Sequence, residues 1–176
     1  MTHHVFVDET KHCGYLMAAA AVLPRDLTPA RQVVRDLLLP GQRRIHFTKE
    51  RDSRRRCIVA ALVECAVQVT IFDASRIHPE LRAREACLTA VVGSAFETGV
   101  RRLVIELDES LEAWDRALLV ELTRKAGRRS GMTYEVLRTH EEGLLAIADV
   151  AAWCWAKGGD WKRRIQPIVC DLRKLP

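Results

Sequence analysis

Two apolar runs separated by a short polar turn open the chain. The first covers residues 5–7 and ends at Asp8, and the second covers residues 15–23 after a turn that contains Gly14. Apolar runs on either side of a short glycine-containing turn are typical of a β-hairpin. The pattern therefore predicts two antiparallel strands and places the carboxylate of Asp8 at the carboxyl end of the first.

The pattern becomes helical between about residues 24 and 66. Thr28-Pro29 is a helix-start signal, and a helix is predicted from there to about residue 38. Residues 44–47 are predicted to be a short extended piece. Residues 50–65 are predicted to form a second helix, because a polar, basic first turn is followed by apolar positions. We therefore expect a helical insertion after the first hairpin.

The chain then alternates strands and helices. Strands are predicted at residues 67–72, 103–107 and 132–137, and helices at 79–98, 111–125 and 143–157. This alternation indicates an α/β fold, with a mixed sheet and helices on its faces. Residues 160–176 are basic, and their pattern predicts no particular element. With the insertion set aside, the element order is that of the ribonuclease H-like fold, and we expect a single domain over residues 1–176.

Three aspartates occupy positions where a metal site can form. Asp8 and Asp108 each end a predicted strand, and Asp149 lies in a helix that is apolar nearly all round. Ligand sites of open α/β sheets lie at the carboxyl ends of strands. We therefore expect Asp8, Asp108 and Asp149 to bind Mg²⁺ or Mn²⁺, which prefer hard oxygen ligands and can activate water for attack on phosphorus.

Structural alternatives stay open for several of these polar residues. Asp8 could be a turn residue, since aspartate is common in hairpins. Glu106 shares a strand face with Asp108 and competes with it for the site position. Glu85 is expected either as a supporting ligand or in a salt bridge with a neighbouring arginine. His46 could shuttle protons beside the metal or form a structural hydrogen bond.

Charge indicates the class of partner. Lys and Arg number 28 against 23 Asp and Glu, which gives a net charge of +5 and a pI near 9.1. Basic segments near residues 51–56 and 124–129 are predicted to contact phosphates, so we expect nucleic acid as the partner. Aromatic residues make up 6% of the chain and do not alternate with basic ones. This favours recognition of backbone and shape over base stacking.

Other functional classes lack their sequence signals. The six cysteines form no C-x-x-C pair, and several lie in apolar stretches, which favours core positions in a reducing cytoplasm over a zinc site or disulfide framework. No signal-peptide pattern and no apolar run of about 18 residues is present, so we expect neither export nor a membrane partner. Glycine-rich nucleotide-binding loops and the G-x-S-x-G motif are also missing from the sequence.

Three segments resemble those of a known family. Residues 5–16 are similar to the opening of the bacterial "domain of unknown function 3800" proteins, which have an apolar run, Asp-Glu-Ser-Gly and then a strand. Residues 45–47 and 143–149 resemble later segments of that family, in the same order. Over about residues 5–157, the resemblance implies a ribonuclease H-like fold with Asp8, Asp108 and Asp149 as metal-binding acids.

Two functional hypotheses follow. The first is a metal-dependent nuclease or phosphodiesterase of the bacterial cytoplasm, with Asp8, Asp108 and Asp149 as metal ligands and Glu85 in support. The second is a non-catalytic module that binds nucleic acid or a protein partner in a bacterial system. The basic surface favours this second hypothesis, as does Thr10-Lys11, which stands where the family usually has Ser-Gly.

Overall fold

A mixed sheet of six strands lies at the centre of the computed structural model, which describes residues 3–125 and 131–176. The strands are β1 His4–Thr10, β2 Leu16–Val22, β3 Val67–Asp73, β4 Arg102–Glu106, β5 Thr133–Leu137 and β6 Val169–Lys174. Their order across the sheet is β5-β4-β1-β2-β3-β6. β2 is antiparallel to β1 and β3, β4 is parallel to β1 and β5, and β6 is parallel to β3.

Helices connect the strands and cover both faces of the sheet. They are α1 Leu27–Asp36, α2 Asp52–Val63, α3 Glu80–Glu97, α4 Glu112–Lys125, α5 Leu145–Lys157 and α6 Gly159–Ile165. Both α1 and α2 lie between β2 and β3, which is where the sequence predicts a helical insertion. No helix within the described residues combines the length and hydropathy needed to cross a membrane.

The sheet separates two apolar layers, and the alternation along β1 assigns its side chains to them. Phe6 and Val104 pack with α1, α2, α5 and α6 on one face. Val7 and Ile105 pack with α3 and α4 on the other. Because successive side chains of a strand point to opposite faces, Asp8 shares the face of Phe6 and lies towards α5.

Two segments differ from the sequence-based expectation. Residues 159–174, for which no element was predicted, form α6, a 3-10 turn and β6. Residues 44–46 form no regular element, and Phe47, predicted to end an extended piece, begins the 3-10 turn Phe47–Lys49. The physical reason is that Phe47 is buried against Trp153 of α5, with ring centroids 5.2 Å apart, so its side chain fixes the segment against a helix.

The cysteines match their predicted core role only in part. All six are free, with Cys87 and Cys154 buried and Cys65 partly buried. Cys13, Cys57 and Cys170 are exposed.

Candidate active-site cleft

An open cleft of about 520 Å³ lies where β1 and β4 end, between α5 and the segment that leads into α2. Six acidic side chains line it, which are Asp8, Glu9, Glu106, Asp108, Glu109 and Asp149. Lys11 and Arg44 also line it and are both partly exposed. The fold thus brings the three sequence-predicted aspartates to one cleft and adds three glutamates, of which Glu106 lies beside Asp8.

Asp8 occupies the innermost position, with 6% of its surface exposed. The parallel register pairs Val7 with Ile105, so Asp8 comes to lie beside Glu106. Its Oδ1 accepts a hydrogen bond of 2.7 Å from the backbone N–H of Glu9. Burial raises the pKa of Asp8 well above its ordinary value, and Glu106 and Asp149 raise it further through a hydrogen bond and negative charge. Burial and the neighbouring acids therefore favour the protonated form of Asp8 when no cation is bound.

Glu106 is the last residue of β4 and joins Asp8 on the α5 face of the sheet. The hydroxyl of Thr139, which follows β5, donates a hydrogen bond to Glu106 Oε1. Arg44 Nη1 lies 3.7 Å from the same oxygen, as a partly exposed ion pair. Thr139 therefore fixes the carboxylate, while Arg44 only partly balances its charge.

Asp149 approaches the strand ends from α5 and is half-buried, whereas Ala148 and Val150 beside it are fully buried. Burial raises the pKa of Asp149 to about 7, with a further contribution from the negative charge of Glu106, while Arg44 opposes the shift. Asp149 therefore lies within the influence of both Glu106 and Arg44, and the effects of burial and of Glu106 outweigh that of Arg44.

Asp108 lies at the rim, two residues beyond the end of β4. Its Oδ1 accepts hydrogen bonds from the backbone N–H and the hydroxyl of Ser110, at 2.9 and 2.5 Å, and its Oδ2 lies 3.6 Å from Lys11 Nζ. Ser110 first, and Lys11 to a smaller extent, lower the pKa of Asp108. Asp108 therefore has Ser110 and Lys11 beside its two oxygens, whereas Asp8 accepts from the backbone N–H of Glu9.

Glu85 is not brought to the cleft. It lies exposed on α3, which packs on the opposite face of the sheet from Asp8 and Asp149. A supporting role beside those aspartates has no geometric basis in this arrangement.

His46 lines the cleft, half-buried, and its Nε2 accepts a hydrogen bond of 3.4 Å from Arg44 Nε. Burial and the nearby positive charge of Arg44 lower the pKa of His46. A lowered pKa favours the neutral ring. The neutral ring can accept a hydrogen bond from Arg44 and so orient the guanidinium of Arg44 towards Glu106. This geometry favours the structural hydrogen bond among the two roles considered for His46.

Two arginines of the basic segment at residues 51–56 contact the rest of the protein, whereas Arg51 and Arg56 are exposed. Arg55 donates to the carbonyl oxygens of Phe47 and Thr48, at 2.9 and 2.6 Å, and its guanidinium lies 4.7 Å from the ring centroid of Trp153. Arg54 donates to the carbonyl oxygen of Leu37. Arg54 and Arg55 thus use their donors on backbone carbonyls, and the phosphate contacts of this segment stay a prediction for Arg51 and Arg56. In the second basic segment, Arg128 and Arg129 lie outside the described residues.

A buried ionic network, which sequence reasoning missed, holds the opposite face of β1. Arg84 forms two hydrogen bonds to Asp115, at 2.8 and 2.7 Å, lies 2.7 Å from Glu9 Oε1 and donates to the hydroxyl of Tyr15 at 3.0 Å. Arg84 is 1% exposed and Asp115 is fully buried. Burial opposes the charge of Arg84, but Asp115, Glu9 and Tyr15 outweigh it and raise its pKa. The network fixes Glu9, the residue next to Asp8.

The chemistry of these carboxylates suits a hard divalent cation, whereas their present placement does not form a closed site for one. Asp8, Glu106 and Asp149 offer oxygen donors only, and a bound Mg²⁺ or Mn²⁺ would relieve the repulsion that helps to raise the pKa of Asp8 and Asp149. Within residues 3–125 and 131–176, no group of three or more His, Cys, Asp and Glu side chains is gathered closely enough to hold a metal ion. A cation held by all three would require these side chains to rotate towards a common point.

Comparison with known proteins identifies the fold. No family model matches the chain, and no curated protein matches it. A chain in the structure of the PCNA:RNase HII complex from Archaeoglobus fulgidus matches with a TM-score of 0.57, over 93% of this chain and 75% of that one. The fold is ribonuclease H-like. The sequence identity is 12%, a level at which the likeness shows the fold alone.

The ribonuclease H-like fold confirms the fold class predicted from the element order. The more specific resemblance to the "domain of unknown function 3800" family has no matching family model behind it and stays a prediction.

Proposed function

We propose that this ribonuclease H-like protein is a metal-dependent nuclease or related phosphodiesterase. The observation that carries the proposal is the convergence of Asp8, Glu106 and Asp149, from two adjacent strands and a helix, on one open cleft. Acids on separate elements that raise one another's pKa are characteristic of functional sites. A nuclease named RNase HII in the matching structure supports the same class of activity.

In this proposal, Asp8, Glu106 and Asp149 hold Mg²⁺ or Mn²⁺. When bound, the cation supplies an activated water and neutralises charge that develops at phosphorus. The hydroxyl of Thr139 keeps Glu106 oriented, and Arg44 and Lys11 at the rim are placed to contact phosphate oxygens. The predicted role of Asp108 as a further ligand requires it to leave Lys11 and Ser110.

The rival function is a non-catalytic module that binds nucleic acid. Lys11 favours it, because this lysine stands at the cleft beside Asp108 and is also paired with Glu80 at 2.6 Å. A cation built into the rim balances part of the acidic charge without a metal. Such a module would bind nucleic acid with strong salt dependence and without any response to divalent cations.

The decisive experiment incubates the purified protein with labelled RNA, DNA and RNA–DNA hybrid, with Mg²⁺, Mn²⁺ or EDTA. We expect cleavage of at least one substrate with metal and none in EDTA. Cleavage that persists in EDTA would refute the metal site. Binding without cleavage under every condition would establish the rival function.

Glu106 and Asp108 should differ in their effect on that activity. We expect Glu106→Gln to slow cleavage by about 100-fold, because it removes an inner carboxylate charge. We expect Asp108→Asn to slow cleavage by less than about tenfold, because Asp108 sits at the rim with its own donors. Single-turnover rates at saturating Mn²⁺ measure both effects. The reverse order of the two effects would assign the β4 ligand to Asp108.

Asp149→Asn should weaken the stabilisation of the protein by metal. A ligand that binds the folded state at 100 times its dissociation constant raises the free energy of unfolding by about 2.7 kcal/mol. Thermal melts with EDTA and with Mn²⁺ should therefore show a large rise in Tm for the wild type and a smaller rise for Asp149→Asn. An identical rise in the two proteins would exclude Asp149 as a ligand.

The pH dependence of stability in EDTA should identify Asp149 independently. Its pKa of about 7 lies above its ordinary value of 3.8, so the folded protein binds this proton more tightly than the unfolded chain. Its contribution is present in full below about pH 4 and is lost as the pH rises through about 7. We expect Asp149→Asn to gain stability over the wild type across that window, by a few kcal/mol at most.

Urea titrations at several pH values measure that gain. Asp36→Asn, a change at an exposed aspartate of α1, provides the control, and its difference from the wild type should stay nearly constant over the window. A constant difference for Asp149→Asn as well would contradict the raised pKa.

A further inference from the structure

A second concavity, of about 410 Å³, adjoins the carboxylate cleft. It lies between α1, residues 43–45 and the turn that precedes α5, and we call it the basic pocket. Five basic side chains line it, which are Arg31, Arg35, Arg43, Arg44 and His140. The two basic segments picked out by the sequence contribute none of them.

The acids of the basic pocket leave a surplus of positive charge. Glu142 is buried and accepts hydrogen bonds from two arginines. Arg31 donates to it at 3.1 and 2.7 Å, and Arg102 donates to it at 3.0 Å. Glu141 accepts a hydrogen bond of 2.8 Å from the backbone N–H of Arg138. Both carboxylates are therefore occupied within the protein itself.

Two arginines of the pocket remain available for a ligand. Arg43 is exposed and forms no ion pair within residues 3–125 and 131–176. Arg35 is exposed and donates to the neutral side chain of Gln32 at 2.8 Å. An exposed guanidinium group that is not paired with a carboxylate can bind the oxygens of a phosphate with two hydrogen bonds.

The floor of the basic pocket is apolar. Val34, Ile45 and Ala146 are buried there, and Leu38 is half-buried beside them. A bare phosphate does not use such a floor. A nucleotide does, because its sugar and base pack on apolar groups while its phosphate reaches the arginines.

The basic pocket is continuous with the carboxylate cleft. Arg44, Ile45 and Thr139 line both, and the Thr139 hydroxyl holds Glu106. We propose that the basic pocket binds a nucleotide of the substrate strand that flanks the phosphate held at the carboxylates. That this strand is a substrate rests on the proposed function, whereas the binding of a nucleic-acid strand by the pocket does not.

Binding of a short fluorescein-labelled single-stranded oligonucleotide in EDTA tests the proposal. The test variant is Arg35→Ala/Arg43→Ala. The control is Arg76→Ala/Arg82→Ala, which removes the same charge from exposed positions away from the pocket. We expect the test variant to bind about tenfold more weakly and the control within about twofold of the wild type. The salt dependence should fall by about one unit of slope per lost phosphate contact.

Competition identifies the ligand. We expect a nucleoside monophosphate to displace the oligonucleotide from wild type at lower concentration than inorganic phosphate, and this preference to be lost in Arg35→Ala/Arg43→Ala. Equal weakening by the test and control variants would overturn the pocket, because binding would then follow overall charge. Equal competition by phosphate and nucleotide would overturn the role of the apolar floor.

The test of the basic pocket is independent of the test of nuclease activity, because oligonucleotide binding is measured without metal. If the test variant binds weakly and the wild type cleaves nothing with any cation, the pocket stands and the nuclease proposal fails. If the wild type cleaves and Arg35→Ala/Arg43→Ala has an unchanged KM, the nuclease proposal stands and the pocket fails. Thermal melts of both double variants check that the fold is retained.

Discussion

The Asp8→Asn variant is expected to cleave nucleic acid about 1000-fold more slowly than the wild type, a loss of about 4 kcal/mol of transition-state stabilisation. Asparagine keeps the size of the side chain and its bond from the Glu9 N–H, but it removes the negative charge at the centre of the acidic group. Without that charge, a divalent cation binds weakly and is poorly placed. Single-turnover rates with Mn²⁺ in excess measure the loss.

Asp73→Asn is the matched control for Asp8→Asn. Asp73 ends β3 as Asp8 nears the end of β1, and its Oδ1 accepts a hydrogen bond of 3.0 Å from the N–H of Ser75, but it does not line the cleft. We expect Asp73→Asn to keep its rate within about threefold of the wild type. An Asp8→Asn variant that retains more than about a tenth of the wild-type rate would contradict the assignment of Asp8.

Arg84→Met is expected to cause the largest loss of stability, about 3–5 kcal/mol in the free energy of unfolding. The substitution preserves an apolar stem but leaves the buried carboxylate of Asp115 without its two donors, and it strips Glu9 of its cation. Removing one partner of a buried pair is costly because the remaining charge stays out of water. Urea denaturation measures the difference.

The neighbouring substitution Arg82→Met separates charge burial from helix effects. Arg82 is exposed on the same helix, so its replacement should change stability by no more than about 0.5 kcal/mol. Arg84→Lys should fall between the two, because lysine keeps the charge but cannot bind Asp115 through two parallel bonds. Equal stabilities of the Arg82→Met and Arg84→Met proteins would show that the network contributes nothing.

The parts of the fold that local patterns determine could be predicted from the sequence. The alternation of side chains along β1 predicts that Phe6 and Asp8 share one face of the sheet. The apolar residues around Asp149 predict a buried helix. Because parallel strand ends meet at one edge of a sheet, Asp8 and Asp108 were expected at a common site, and both line the cleft.

Features that depend on pairing between distant residues could not be predicted. Glu106 and Asp108 share a strand face in the sequence, and only the end of β4 at Glu106 and its register with β1 distinguish them. Arg84 and Asp115 are 31 positions apart, and neither carries a sign of its partner. β6 is stabilised by β3 rather than by its own mixed, charged pattern.

Arginines that face the protein show that a basic run in the sequence need not form a binding surface. Arg55 belongs to a basic run, yet it uses its donors on the carbonyls of Phe47 and Thr48 and stacks on Trp153. The position of the loop that precedes α2 determines whether a guanidinium of this run reaches solvent or a backbone carbonyl. A run of positive residues therefore predicts net charge more securely than it predicts a binding surface.

The cleft has walls of different origin. One is formed by the ends of β1 and β4 with α5, and it carries the acids. The other, residues 44–48, is secured mainly by Arg55 and by Phe47 packed on Trp153. Changes of length or composition in the loop between α1 and α2 can thus alter the width of the cleft while the spacing of the acids is kept. Under the proposed function, relatives with this scaffold would diverge in substrate through one loop and share a single chemistry.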